Sequence, residues 1–152
     1  MKKVFVILGI IALLLIIFAA ASVNYVAFRG RQLDVSSKAY VDTNVPVIVS
    51  SWSVDELTKR SSAEFREATD DKQLNLIFIR LKQLGQFQKY EGAKGESNTI
   101  FNYKSAKETK MANYVATATF QNGSANIKVT LIQEDGQWQI YGFSVDSPIF
   151  TK

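Results

Sequence analysis

The chain of 152 residues has no cysteine and no histidine, and its 18 Lys+Arg against 14 Asp+Glu give a formal net charge of +4. Without cysteine there is no disulfide, thiolate metal site, redox motif or lipid-modified N-terminal cysteine, and without histidine there is no Ser-His-Asp triad and no imidazole ligand or acid-base catalyst. The surplus charge does not mark a polyanion-binding domain: Lys2, Lys3, Arg29 and Arg31 flank one apolar run, the first acid is Asp34, and from Gln32 onward basic and acidic residues balance.

That run, Val4 to Phe28, is uncharged, and a helix needs only ~20 residues to cross a hydrocarbon core of roughly 30 Å. An uncleaved membrane anchor is the expectation. The alternative is a secretory signal, for which Ala19-Ala20-Ala21 before Ser22 offers a cleavage site, although Val23, Tyr25, Val26, Ala27 and Phe28 extend the apolar run beyond it. Tyr25 stands where interfacial aromatics collect. Positive charges on the two sides nearly tie. The short basic head favours an N-terminus inside and the remainder on the periplasmic or extracytoplasmic side. Residues 1–31 thus read as an anchor with basic flanks, residues 32–152 as one domain, and Arg29 to Asp34 as a short juxtamembrane link.

Helical spacing follows. Val35, Ala39, Tyr40, Val41, Val45, Ile48 and Val49 form one stripe, which Pro46 is expected to kink or interrupt because it lacks an amide donor. Ser53-Val54-Asp55-Glu56 and Ser61-Ser62-Ala63-Glu64 both fit the capping box. Asp70 with Gln73 opens a further helix with the stripe Leu74, Ile77, Phe78, Leu81 and Leu84, closed by Gly85. Asp70-Asp71 reads as this helix's N-terminus rather than as a cation site.

After Gly85 the period changes to two. Gln86 to Ser97 and Asn98 to Tyr103 are Gly-interrupted strand patterns; Met111 to Gln121, Ser124 to Gln133 and Gln137 to Asp146 alternate more cleanly. An Asn122-Gly123 turn pairs Phe120 with Ala125 and Ala118 with Ile127. For the next hairpin, a two-residue turn sets Ile127 against Ser144. A three-residue turn Glu134-Asp135-Gly136, with Gly136 left-handed, sets Ile127 against Phe143 and Val129 against Tyr141, and its apolar pairing makes it the expected register. Lys104, Lys107 and Lys110 with Glu108 read as a solvated loop, not a nucleic-acid site.

Helices followed by a long-hairpin antiparallel sheet with one dry face give an α+β domain. The tail Glu134-Asp135-Gly136-Gln137-Trp138-Gln139-Ile140-Tyr141-Gly142-Phe143-Ser144-Val145 resembles the last turn and strand of NTF2-like (cystatin-like) domains, and the resemblance extends over roughly Val35 to Ser147. It implies helices packed on one face of a curved antiparallel β-sheet. That superfamily hosts isomerases, dehydratases, lipid binders and membrane-secretion scaffolds, so it assigns no activity by itself. Its enzymes often use His with Asp, or Tyr with Asp; here no acid falls at an inward strand position in the expected register. Neither catalytic nor metal-binding residues are therefore named, and no cofactor is expected.

Two functions remain. One is a membrane-tethered, non-enzymatic binding or assembly module of the bacterial envelope; the other is a carrier of a small apolar ligand or lipid in a cavity between helices and sheet. The cavity would be lined by Leu74, Phe78, Leu81, Tyr114, Ile127, Tyr141 and Phe143. The expected register places Val115, Thr130, Ile132, Trp138 and Ile140 on the uncovered outer face, an apolar patch fit for a homodimer or another envelope protein. On that footing Trp138→Lys is a tolerated surface change. The segment Phe101 to Met111 is the alternative cover for the patch.

Overall fold

The computed structural model describes the backbone of residues 2–103 and 106–150, and their side chains apart from 2–12, 20, 23–29 and 102. The elements are α1 (Lys2–Ser51), α2 (Val54–Thr58), α3 (Ala63–Ala68), α4 (Asp71–Leu81), a 3-10 turn (Lys82–Leu84), then β1 (Phe87–Asn102), β2 (Lys107–Phe120), β3 (Gly123–Glu134) and β4 (Gln137–Asp146), with a last 3-10 turn at Pro148–Phe150. Two compact units divide the chain, Met1–Leu33 and Asp34–Lys152.

The first unit is helical. Six consecutive large apolar side chains, Leu13 to Phe18, are exposed. Among the described residues no helix is long and apolar enough to cross a membrane; Tyr25 and much of the Val4–Phe28 run lie outside the described side chains. Arg29 to Asp34, read as a short link, are helical within α1.

The second unit is an α+β domain whose curved four-stranded antiparallel sheet runs in the order β1-β2-β3-β4, with helices packed against it. Its inward face owes its shape to small residues. Ala112, Ala116 and Ala118 of β2, Ala93 of β1 and Ala125 of β3 are buried, which leaves room for Val41, Val45, Ile48 and Val49, also buried. Pro46 does not end the helix, which runs on to Ser51. The burial of Val45, Ile48 and Val49 around it outweighs the single lost amide bond. Trp52 closes α1 with φ +46 and stacks on Phe120, ring centroids 5.6 Å apart.

Polar bonds fix the helix to the sheet. The Asp42 carboxylate accepts the Tyr90 hydroxyl at 2.8 Å and the Ala93 amide at 3.2 Å, and the Asp34 carboxylate accepts the Ser97 amide at 2.7 Å and hydroxyl at 2.6 Å. The Tyr114 hydroxyl, buried beneath α1, donates to the Asp34 carbonyl at 3.1 Å. Strand β1 pairs with β2 alone, so these carboxylates occupy amides on an otherwise open edge. Gly95, opposite Tyr114, has no room for a side chain: an added Cβ would sit 1.9 Å from the Asn113 carbonyl oxygen.

The short helices start near the expected places. Ser62, not Ser61, caps α3, its hydroxyl accepting the Phe65 amide at 3.3 Å. Asp70 caps α4 through the Lys72 amide at 2.9 Å. Ser53 precedes α2 without a side-chain cap. Leu74, Phe78 and Leu81 point inward, whereas Ile77 is exposed beside Leu76 and Ile79.

Both hairpin registers differ from the sequence expectation. The loop between β2 and β3 is Gln121-Asn122, pairing Phe120 with Gly123 and Ala118 with Ala125. The cause is tertiary: the Gln121 and Asn122 amides donate to the Gln86 and Leu84 carbonyls, each at 2.9 Å, and the Asn122 side chain to the Gln83 carbonyl at 2.9 Å. A slip of two keeps side-chain parity, so the dry face stays dry.

The second change reverses faces. Asp135 and Gly136 form a two-residue turn, both left-handed at φ +48 and +79, as a type I′ turn requires. A bulge follows: Leu131 pairs with Ile140 but Thr130 with Gly142, leaving Tyr141 as the extra residue. Beyond it Val129 meets Phe143 and Ile127 meets Val145. The apolar pairs are thus made by a bulge within β4 rather than by a longer turn, and before the bulge Trp138 and Ile140 face the helices. Of Phe101 to Met111, the alternative cover for an outer patch, residues 101–102 belong to β1 and 107–111 to β2; Lys104 lies outside the described residues.

Gly136→Val should lower stability by about 1–2 kcal/mol, because a β-branched side chain is strained at a left-handed position; a thermal midpoint equal to wild type would contradict the type I′ turn. A second expectation concerns acid. Burial works to raise the Asp42 pKa, but hydrogen bonds from Lys38, Tyr90 and Ala93 prevail and hold it below its ordinary 3.8. A depressed folded-state pKa gives stability that is present above the unfolded value and lost as pH falls through the folded one. Asp42→Asn should therefore be less stable than wild type at neutral pH and lose less on acidification below about pH 4, as read by urea midpoints at the two pH values.

Candidate functional site

The connector between α2 and α3 runs beside the free edge of β4. Its Arg60 carbonyl accepts the Ile140 amide and its Ser62 amide donates to the Ile140 carbonyl, both at 2.8 Å, a one-residue parallel bridge between Ser61 and Ile140. That pairing sets Arg60 and Arg66 next to Gln137–Gln139. Tyr40 and Asn44, one turn apart on α1, complete a groove of about 580 Å³, with Glu56, Lys59 and Trp138 also in its wall.

The Arg60 guanidinium is held inside the wall. Its Nε donates to Asn44 Oδ1 at 2.7 Å, and one terminal nitrogen donates to the Glu56 carboxylate at 2.6 Å and the Glu56 carbonyl at 2.8 Å. The Arg60 hydrogen bond, opposed by desolvation and helped by the charges of Arg60 and Lys59, keeps the Glu56 carboxyl below its ordinary range. Burial pushes the Tyr40 hydroxyl up while the Arg60 charge pulls it back; it donates to the Arg60 carbonyl at 3.1 Å. Asn44 spends its amide on the Tyr40 carbonyl at 2.8 Å, and the Ser61 hydroxyl donates to the Leu57 carbonyl at 2.8 Å.

The Asn44 and Glu56 acceptors are thereby used, while cationic donors remain. Lys59 Nζ lies 3.6 Å from Glu56 Oε1 and is largely exposed. Arg66 gives one bond to the neutral Ser61 carbonyl. Three cations against one carboxylate leave the lining positive, so it can hold negative charge and donate hydrogen bonds. Among the described residues no group of three or more Asp or Glu side chains is placed to hold a metal.

The residues named from the sequence disperse. Trp138, 7 % exposed, and Ile140, fully buried, lie on the helix-covered face, and the Trp138 indole donates to Ser36 Oγ at 3.0 Å. This corrects their expected outward placement; the bulge at Tyr141 is the reason. Val115 is outward and exposed, Thr130 and Ile132 partly so, and the Thr130 hydroxyl donates to Asn113 Oδ1 at 3.0 Å. Of the expected cavity lining, Leu74, Phe78, Leu81, Tyr114 and Ile127 are buried in the core and Phe143 is half-buried. Tyr141 is 42 % exposed, another consequence of the bulge.

Sequence reasoning missed Arg60, Arg66, Tyr40 and Asn44 as a group. Their local signal is only a capping box with an arginine on either side; the bridge that brings them to Gln137–Gln139 joins distant segments and has no local pattern. No protein-family model, no curated protein and no solved structure matches the chain.

With Trp138 in the core, Trp138→Lys should cost at least the ~3–5 kcal/mol of removing a buried aromatic, plus the burden of an unpaired charge. Urea unfolding followed by circular dichroism should show a strongly lowered midpoint; an unchanged one would return the side chain to the surface.

Proposed function

We propose that the chain is a membrane-tethered, non-enzymatic binding module of the bacterial envelope: an N-terminal transmembrane helix holds an NTF2-like (cystatin-like) domain on the extracytoplasmic side, where it binds a partner or assembles. The observation that carries the tether is the uncharged run Val4–Phe28, with Leu13 to Phe18 exposed together. Such a row covers more than one turn of helix and so has no polar side to offer water. The NTF2-like reading is supported by the element order, short helices before an antiparallel meander that curves around them.

Binding rather than catalysis is favoured by the state of the groove's groups. The Ser61 hydroxyl is committed to a carbonyl and Glu56 to Arg60 and Lys59, which leaves no unspent nucleophile or carboxylate in the lining and a surplus of positive charge. The outer sheet face has lost its two largest expected anchors, Trp138 and Ile140, to the core, so the groove is the better binding surface.

The protein should remain in the membrane fraction after carbonate washing and keep its initiating segment. A mature N-terminus at Ser22, read by mass spectrometry, would replace the anchor with a cleaved signal. Crosslinking in intact cells followed by purification should capture a discrete complex, and recovery of only the bare chain would contradict the assembly role.

A further inference from the structure

We infer that the groove receives an extended acidic peptide segment, which adds to the free edge of β4 at Trp138 and places a carboxylate on Arg66 and Lys59. The inference deepens the binding-module reading by naming the ligand class.

Main-chain geometry carries the first half. In an antiparallel pair, residues alternate between exchanging both bonds with the partner strand and turning both groups away from it. Ile140, opposite Leu131, turns its amide and carbonyl away from β3, since they bond to the Arg60 carbonyl and the Ser62 amide. Trp138, opposite Gln133, is two residues along in unbroken register and turns its groups to the same side. There the connector has already left: among the described residues the Trp138 amide and carbonyl have no main-chain partner on that side, and Trp138 lies in the groove wall. Main-chain groups of a residue like this pair with protein or with water, so an occupant that brings both a donor and an acceptor can replace water there. An extended peptide supplies both, as when a strand is added to a sheet edge. The Arg60–Ser62 bridge is the same interaction made by the chain itself, one step along the edge.

Charge carries the second half. An added strand would lie between Gln137–Gln139 and the cationic wall. Arg60 is engaged by Glu56 and Asn44, which leaves Arg66 and Lys59 to meet an anion. Arg66 has spent one donor on a neutral carbonyl. The nearby Glu64 carboxyl is held below its ordinary range mainly by its own backbone amide and by Ser62, with Lys107 and Arg66 contributing less, so it is committed to the start of α3 rather than to Arg66. A planar carboxylate suits the guanidinium fork. Gln137 and Gln139 flank the edge position with amide groups able to bond either peptide group.

The probe is an N-acetylated, C-terminally amidated hexapeptide of alternating valine and glutamate, with the valine-glutamine and valine-lysine peptides as controls. It is titrated into the full-length, isotope-labelled chain in detergent micelles and followed by amide NMR and fluorescence polarisation. The glutamate peptide should bind at least ten-fold more tightly than the glutamine peptide and shift the Trp138 amide. It should slow hydrogen exchange at that amide and weaken as salt is raised. Arg66→Gln and Lys59→Gln should each remove most of the preference for glutamate while leaving the thermal midpoint near wild type; the pair of variants covers the chance that Arg66→Gln alone perturbs α3. N-methylation of the peptide's main chain should abolish binding. Equal affinity for all three peptides, no binding up to millimolar peptide, or shifts confined to residues outside the groove would overturn the inference. A complex captured in cells that persists in the Arg66→Gln, Lys59→Gln double variant would overturn it too, while sparing the tethered-module reading. Loss of the chain from carbonate-washed membranes would do the reverse.

Discussion

The domain depends on how closely its first helix can approach the sheet. Ala93, Ala112, Ala116, Ala118 and Ala125 make that approach possible, because each replaces a longer side chain that would hold the two layers apart. Once the layers are close, short polar side chains can reach across: Asp34 and Asp42 find amides of β1, Ser36 meets the Trp138 indole, and Ser37 lies 3.0 Å from the Tyr114 hydroxyl. The same closeness brings Tyr40 and Asn44 to the groove, so the candidate site follows from the alanines as directly as the core does.

Much of this was legible locally. The helix stripe through Val41, Val45, Ile48 and Val49, the cap at Asp70, and the alternation of β2 and β3 all arise from short-range geometry that a sequence displays. Even the misplaced turn at Asn122-Gly123 left the faces right, since a slip of two preserves parity. What escaped was set from a distance. The Gln121-Asn122 loop is chosen by the carbonyls of Leu84 and Gln86, and the bulge at Tyr141 by the need to set both Ile140 and Phe143 against the helices. A strand with an extra residue has two alternating patterns of opposite phase, and reading it with one assigns half of it to the wrong side. Trp138, Ile140 and Tyr141 were the cost.

The candidate site was less legible than the fold for a related reason. Its cations come from the connector and α3, and its glutamines from the far end of the chain. No spacing rule links Arg66 to Gln139. The whole-chain charge of +4 was equally uninformative, because all of it flanks the apolar run, while the groove's local excess sits in a domain that is neutral overall. Position, not total, determines what a charge can meet.

Both edges of the sheet are covered in part by residues that precede every strand in the chain: Asp34 and Asp42 on β1, Arg60 to Ser62 on β4. A ribosome makes a chain from its N-terminus, so these covers are synthesised before the first strand. Open strand edges are the usual templates for wrong pairing between chains, and the danger is greatest while folding is incomplete. In this order of manufacture, a strand edge never has to wait for a cover that is still unmade. The direction of synthesis and the placement of the edge covers thus act together to keep the sheet finite.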